Sequence, residues 1–221
     1  MNIVNKIILL ILSLPKTIYI NFKYLKFKDA IKLPILVSYN VKLAKTRGTI
    51  LIKSKIKFGM IQIGFGGHIF FEEKQCYLYI DDNAKLCFES GIKIASGSRI
   101  NIMGTLIFKR NFRNSANLKI DCRKKIIFGE NVLVGWNCTV LDTDGHDILD
   151  KSSNKINFDN DVYIGNNVWV GANVTILKGV KLNDGMIIAY GSTITKSNKE
   201  SNCIIGGVNN KVLKKDVYWR K

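Results

Sequence analysis

Residues 158–196 read FDNDVYIGNNVWVGANVTILKGVKLNDGMIIAYGSTITK, and one spacing runs through all of them. Stepping by six from Phe158 gives Ile164, Val170, Ile176, Leu182, Ile188 and Ile194, every one apolar. A second row stands four residues after each of the first five: Val162, Val168, Val174, Val180 and Met186, with Ser192 breaking it at the sixth. A period of six is neither the 3.6 of a helix nor the plain alternation of a strand. It fits short strands that each turn one side chain inward at the same height, joined by tight turns. Gly, Asn and Asp fill many remaining places, and they tolerate the positive φ that such turns need. Three strands close one triangular coil, and stacked coils bury the apolar column along an axis, the hexapeptide β-helix pattern.

Working outward, a lattice of the same period appears at Phe88, Ile94, Ile100, Leu106, Phe112 and Leu118 in another phase, and the later phase resumes at Phe128, Val134 and Val140. The reading places one phase slip near residues 119–127, as a bulge or lengthened turn. Short apolar runs such as Ile35-Leu36-Val37 and Cys76-Tyr77-Leu78-Tyr79-Ile80 read as earlier strands. Gly64-Phe65-Gly66-Gly67-His68 lacks the third glycine of a dinucleotide loop and no helix follows, so it reads as a turn.

The net charge of +17 is uneven. Residues 1–60 carry eleven Lys and one Arg against the single acid Asp29, a net +11, whereas the remaining residues carry 22 basic and 16 acidic groups, a net +6. Such a basic end calls for an anionic partner. The apolar run Ile7 to Leu14 is far shorter than the ~20 residues a membrane span needs, and no small-residue cleavage site follows it. From Lys16 to Lys32, Tyr19, Phe22, Tyr24 and Phe27 interleave with Lys23, Lys26 and Lys28. Two readings stand for this segment: a cap over one end of the solenoid, or a peripheral membrane contact through residues 1–32. No nucleic-acid motif accompanies the basic residues, and nucleic acid is not expected as a partner. The five Cys show neither C-x-x-C pairing nor metal spacing with His, and read as reduced core thiols of a cytosolic protein.

The regular wall breaks between Val140 and Phe158, where the lattice places fall on His146 and Ser152. Irregular excursions from a rigid scaffold are where function concentrates. His146 is one of only two His, and Asp142, Asp144, Asp147 and Asp150 lie within four residues of it. An imidazole changes charge near neutral pH, and a carboxylate on its second nitrogen would fix its tautomer and stabilise the cation. Spacing does not choose among the four aspartates. No nucleophile elbow is present, and two His cannot supply a His-rich zinc site, so no metal is expected.

The string from Ile164-Gly165-Asn166-Asn167 to Leu177-Lys178-Gly179-Val180, continuing through Gly191-Ser192-Thr193-Ile194-Thr195-Lys196 and Gly207-Val208-Asn209-Asn210-Lys211-Val212, resembles the hexapeptide-repeat acyltransferases. Asp142 to Ile148 resembles their histidine loop. The similarity is greatest to the sugar and polysaccharide O-acetyltransferases, such as the maltose and galactoside enzymes. The resemblance implies an all-β fold, a left-handed parallel β-helix with a short apolar and basic N-terminal segment. It implies a homotrimer with active sites between subunits and acetyl-CoA as donor. Catalysis would fall to His146, with Asp144 and Asp142 beside it. Acetyl-CoA contacts would fall on Ala172, Tyr190, Thr195 and Lys196, with Lys211 and Lys214 at the nucleotide phosphates. A sugar acceptor would meet Asn114, Asp121 and Trp136. Tyr190 departs from the family pattern, placing a ring where a small residue lines the pantetheine path.

The expected organisation is an N-terminal segment (1–48), a catalytic β-helix (49–198) with its loop at 141–157, and a C-terminal tail (199–221). The expected activity is acetylation of a sugar hydroxyl in cell-surface polysaccharide biosynthesis, in the cytoplasm or at the inner face of the membrane. An amino-sugar N-acetyltransferase is the enzymatic alternative. A non-catalytic basic β-helix that binds membrane or anionic polymer is the alternative from another class.

Overall fold

Why the chain coils follows from its corners. At one corner Asn111, Asn131 and Asn167 adopt φ of 61°, 57° and 54°, and at another Asn117, Asn137 and Asn173 adopt 50°, 54° and 55°. Asparagine tolerates this left-handed conformation better than other residues with a side chain. The stacked amides also bond: Asn111 donates to Asn131 at 2.9 Å, Asn131 to Asn167 at 3.0 Å, and Asn117 to Asn137 at 3.0 Å. The computed structural model describes residues 3–68, 70, 75–208 and 210–220. Asn209, part of the family resemblance, lies outside them.

The chain forms a left-handed parallel β-helix with three walls. The first wall has nine strands, beginning with β1 (Ile35–Val37) and ending with Ile204–Gly206 and Lys211–Lys214. The second has seven, from Val41–Thr46 to Thr193–Ile194, and the third has six, from Thr49–Ile52 to Lys181–Leu182. All described pairings of named strands are parallel except that of Ile204–Gly206 with Lys211–Lys214. We call the turns from first to second wall the first corner, from second to third the second, and from third back to first the third.

The apolar column is continuous. Phe88, Phe108 and Phe128 stack on the third wall with centroids 5.8 and 5.1 Å apart, and Phe112 packs against two of them at 4.5 and 4.8 Å. All five Cys are unpaired and buried, filling the coils as the sequence suggested.

The six-residue lattice is strict only beyond the loop. Thr175 pairs with Thr193, a step of 18, but Arg99 pairs with Lys119 and Lys119 with Thr139, steps of 20. These coils are longer because their second-wall and third-wall strands run to four residues, as in Arg99–Ile102 and Thr105–Phe108. The expected single slip near 119–127 is instead an extension repeated in successive coils. Leu106, Phe112 and Leu118 do line the core, but as the companion row. The register equivalents of Phe88 and Ile100 are Phe108 and Ile120, and Asn114 falls between them at an inward position. Phe158, the first member of the later lattice, is 65% exposed on the loop and does not join the column.

The N-terminal segment is a helix, α1 (Ile3–Tyr24), longer than the apolar run alone suggested. It closes the end of the solenoid by a polar zipper. The free edge of β1 presents backbone groups that a strand would otherwise pair. Ser13 Oγ accepts from Tyr39 N at 3.0 Å, Thr17 Oγ1 from Val37 N at 3.0 Å, and Asn21 Oδ1 from Ile35 N at 3.2 Å. Asn21 Nδ2 also donates to Ile35 O at 2.7 Å. The match is geometric: four helical residues rise about 6 Å, and two strand residues rise about 6.6 Å. Ser13, Thr17 and Asn21 are all buried, and Ile20 beside them joins the apolar core.

Asn21→Ala leaves the buried amide and carbonyl of Ile35 without partners, so it should lower stability by about 1–3 kcal/mol. Urea unfolding at fixed protein concentration measures this; an unchanged midpoint would contradict the zipper.

Candidate active site

The loop that interrupts the walls leaves the second wall after Thr139–Leu141 and rejoins the third at Val162–Ile164, so it projects from the second corner. Its base is stapled by Asp142, which is fully buried. This carboxylate accepts from the backbone N–H of Arg123 at 2.7 Å and of Lys124 at 2.9 Å, bracing the corner of the coil before it. Burial pushes the Asp142 carboxyl above the usual range, while those N–H groups pull it back. Asn160 N donates to Asp142 O at 3.0 Å and closes the loop. Asp142 therefore holds the corner rather than the imidazole.

The remaining aspartates are also committed elsewhere. Asp144 Oδ2 bonds Lys178 Nζ, on the second corner of the next coil, and accepts from Asn157 Nδ2 at 2.8 Å. Lys178 and Asn157 hold the Asp144 carboxyl below the usual carboxylate range. Asp147 pairs with Lys155 at 2.6 Å. Asp150 accepts from the N–H groups of Ser152 and Asn154 at 2.8 and 2.9 Å. Among the described residues no side chain bonds the His146 imidazole, which is exposed.

What fixes His146 is its backbone, and the residue responsible is Asn157. Its Nδ2 donates to His146 O at 2.8 Å as well as to Asp144, and its Oδ1 accepts from Ile148 N at 2.7 Å. Arg123 adds a bond to Gly145 O at 3.1 Å. The sequence reading missed Asn157 and Lys178. One sits in a polar run and the other in a repeat, with no local pattern to mark either.

The other carried-over positions divide between corners. Thr195 and Lys196 follow Thr193–Ile194 and share the second corner with His146. Asp121 lies on the same side: it accepts from Asn101 at 2.7 Å and lines a cleft of about 280 Å³ on the outer second wall with Tyr77, Arg99 and Lys119. Trp136, Ala172 and Tyr190 lie at the first corner instead. There Tyr190 is 68% exposed, its hydroxyl bonded to Asn173. Trp136 packs against His68 in a tilted pair, ring centroids 4.3 Å apart, and meets Phe70 edge-on at 5.7 Å. The coils approach closely here, since a Cβ on Gly135 would lie 2.6 Å from Ala172 N. Lys211 and Lys214 lie on the antiparallel strand at the far end of the first wall. Asn114 is buried, and its amide is spent on Ala95 N at 3.0 Å and Ser98 Oγ at 3.2 Å, leaving it a core role.

Six residues separate Ala172 from Lys178 across the second wall, about 20 Å of extended chain. One subunit thus carries these two groups at opposite ends of one wall.

Residues 161–196 match the family described as bacterial transferase hexapeptide, six repeats. The match covers the coils that carry Ala172, Lys178, Tyr190, Thr195 and Lys196. No curated protein matches the chain. Among solved structures, the polysialic acid O-acetyltransferase OatWY is similar at 24% identity, over 82% of this chain and 87% of that one, with a TM-score of 0.47. The polysialic-acid-specific acetyltransferase NeuO is similar at 23% identity over 82% and 89%, TM-score 0.42. A maltose O-acetyltransferase from Clostridium difficile 630 is similar at 18% identity over 91% and 83%, TM-score 0.44.

Asn157→Ala should free the loop, raising amide exchange at Ile148 while global stability changes by no more than about 1–2 kcal/mol. The Asp144 link has a definite pH sense. A carboxyl whose folded pKa is lowered contributes above its ordinary pKa and loses that contribution as pH falls through the lowered value. Loop protection should therefore hold at neutral pH and fall only in acid below the usual carboxylate range. Loss of protection between pH 6 and 8 would contradict the assignment.

Proposed function

We propose that the chain is an acetyl-CoA-dependent O-acetyltransferase acting on a sugar hydroxyl of a surface polysaccharide, with His146 as general base. The observation that carries this reading is the posture of His146. It is an exposed imidazole on a loop whose backbone is bonded from both sides, with no partner of its own among the described residues. A base must be held still yet left free for its substrate.

In this reading the acceptor hydroxyl gives its proton to His146 as its oxygen attacks the thioester carbonyl. The tetrahedral intermediate then collapses, the C–S bond breaks, and the leaving thiolate recovers the proton from the imidazolium. The developing oxyanion needs N–H donors fixed in advance, which rigid backbone on a neighbouring wall supplies. Ala172 and Tyr190 would border the donor on one corner, and Thr195 and Lys196 on another, with Lys211 and Lys214 toward its phosphates. On the acceptor side the reading keeps Asp121, on the second-wall cleft, and Trp136 at the first corner.

A homotrimer belongs to this reading: a site between subunits would set His146 of one copy beside the first corner of a second. The loop also displays Ile148, Leu149, Ile156 and Phe158, each more than half exposed, as an apolar surface for such a neighbour. Acetyl-CoA as donor would put the reaction in the cytoplasm or at the inner face of the membrane.

His146→Ala should lower kcat by about 10²–10⁴-fold and leave acetyl-CoA binding and the oligomer unchanged. The assay is thiol release from acetyl-CoA with a panel of glycan acceptors. Undiminished turnover in the variant, or no turnover by the wild type with any acceptor, would overturn the reading.

A further inference from the structure

The outer face of α1 has no role in the chemistry above. At about 100° per residue, Ile8, Ile11, Leu12, Ile18 and Phe22 fall on the face opposite the zipper, and each is between 46% and 58% exposed. The patch continues beyond α1 in Phe27, Ile31 and Phe58, exposed at 72%, 55% and 68%. Lys26, Lys28, Lys32, Lys55 and Lys57 stand exposed among these residues, with Asp29 as the one acid of the first sixty positions. Backbone bonds from Gly59 N to Leu33 O and from Ile61 N to Pro34 O tie the Lys55–Phe58 stretch to this same end.

We infer that this face docks on an anionic lipid bilayer, with α1 lying in the head-group plane and the solenoid standing on it. An apolar helical stripe ringed by lysines is what interfacial binding requires. The lysine surplus argues against a second copy stacked end to end, because each would bring a net +11 to the contact. Spanning is excluded by the zipper. The window Ile7–Tyr24 is long and apolar enough to cross a membrane by length and composition. Its buried stripe Ser13, Thr17 and Asn21, however, is bonded to β1, and lipid on all sides would strip those bonds.

The orientation has a consequence for catalysis. Ladder bonds of a β-helix run along its axis, and α1 takes the place of a strand at the free edge of β1. The axis therefore stands near the membrane normal. Four strand spacings separate Val41–Thr46 from Thr139–Leu141 on the second wall, about 19 Å at ~4.8 Å each. Adding the ~10 Å diameter of α1 puts the His146 loop about 30 Å above the lipid. Resting on the acetyltransferase reading, the acceptor is then a chain long enough to reach that height from the membrane, not a single sugar at the head groups. In a trimer with parallel axes, three helices would meet the same plane and multiply a weak individual affinity.

The full-length protein is mixed with vesicles of phosphatidylcholine alone, or with half phosphatidylglycerol, and sedimented. The wild type should bind the anionic vesicles, more weakly at 0.5 M than at 0.15 M salt, and bind neutral vesicles poorly. Ile11→Asp with Phe22→Asp touches no zipper bond, so it should keep the same unfolding midpoint yet lose vesicle affinity by at least about tenfold. Equal sedimentation of wild type and variant would overturn the inference. So would self-association abolished by the variant without vesicle binding, or vesicle-bound protein that resists alkaline carbonate, which would indicate spanning. The assay needs no activity: an inactive protein that binds vesicles leaves this inference standing, and an active one that does not bind removes it alone.

Discussion

The structure depends on vertical registry. Each wall contributes an inward side chain at a fixed height, and it must land on its equivalent one coil away. That constraint makes Asn and Gly recur at the corners, stacks Phe88 on Phe108 and Phe108 on Phe128, and lets a coil grow from 18 to 20 residues only by lengthening strands in step. A residue inserted in one coil alone would turn inward-facing side chains outward along the rest of that wall. Insertions are tolerated at corners, where the long connections sit: the His146 loop at the second corner, and an earlier one at the first between Ile61–Ile63 and Cys76–Ile80.

Registry also explains how a loop can hold the proposed base. The loop is anchored to coils on either side of its origin: Asp142 reaches the corner before it, and Asp144 reaches Lys178 on the corner after it. Asn157 then joins the two arms of the loop around His146. The rigid stack supplies fixed points and the side chains span between them. At the solenoid's end the same demand is met by different means. Ser13, Thr17 and Asn21 imitate the edge of a strand, which leaves the opposite face of α1 free for another partner.

Much of this was legible in the residues, and the reasons are physical. Six-residue periodicity reports coiling directly, because each inward position must be apolar. It misled where two apolar rows run side by side: Leu106, Phe112 and Leu118 satisfy the same spacing as Phe108, Asn114 and Ile120, and only pairing distinguishes the rows. Asn114 was placed at the acceptor by the resemblance alone, and pairing shows it at an inward, buried place, bonded to Ala95 and Ser98. His146 was legible because it breaks the lattice. Its supports were not, since Asn157 and Lys178 act through bonds between residues 11 and 34 apart in sequence. The choice among four aspartates also needed coordinates, and none of them orients the imidazole within one subunit.

The proposed site is assembled from the second corner of one subunit and the first corner of another. Subunit complementation tests it most directly. His146→Ala and Ala172→Trp would each be inactive alone, one lacking the base and the other blocking the donor's path. Unfolded and refolded together, they should regain a substantial fraction of wild-type turnover, because some interfaces then pair an intact His146 with an intact Ala172. Mixed oligomers that form but stay as inactive as either parent would show that the site lies within a single chain, and would contradict the account.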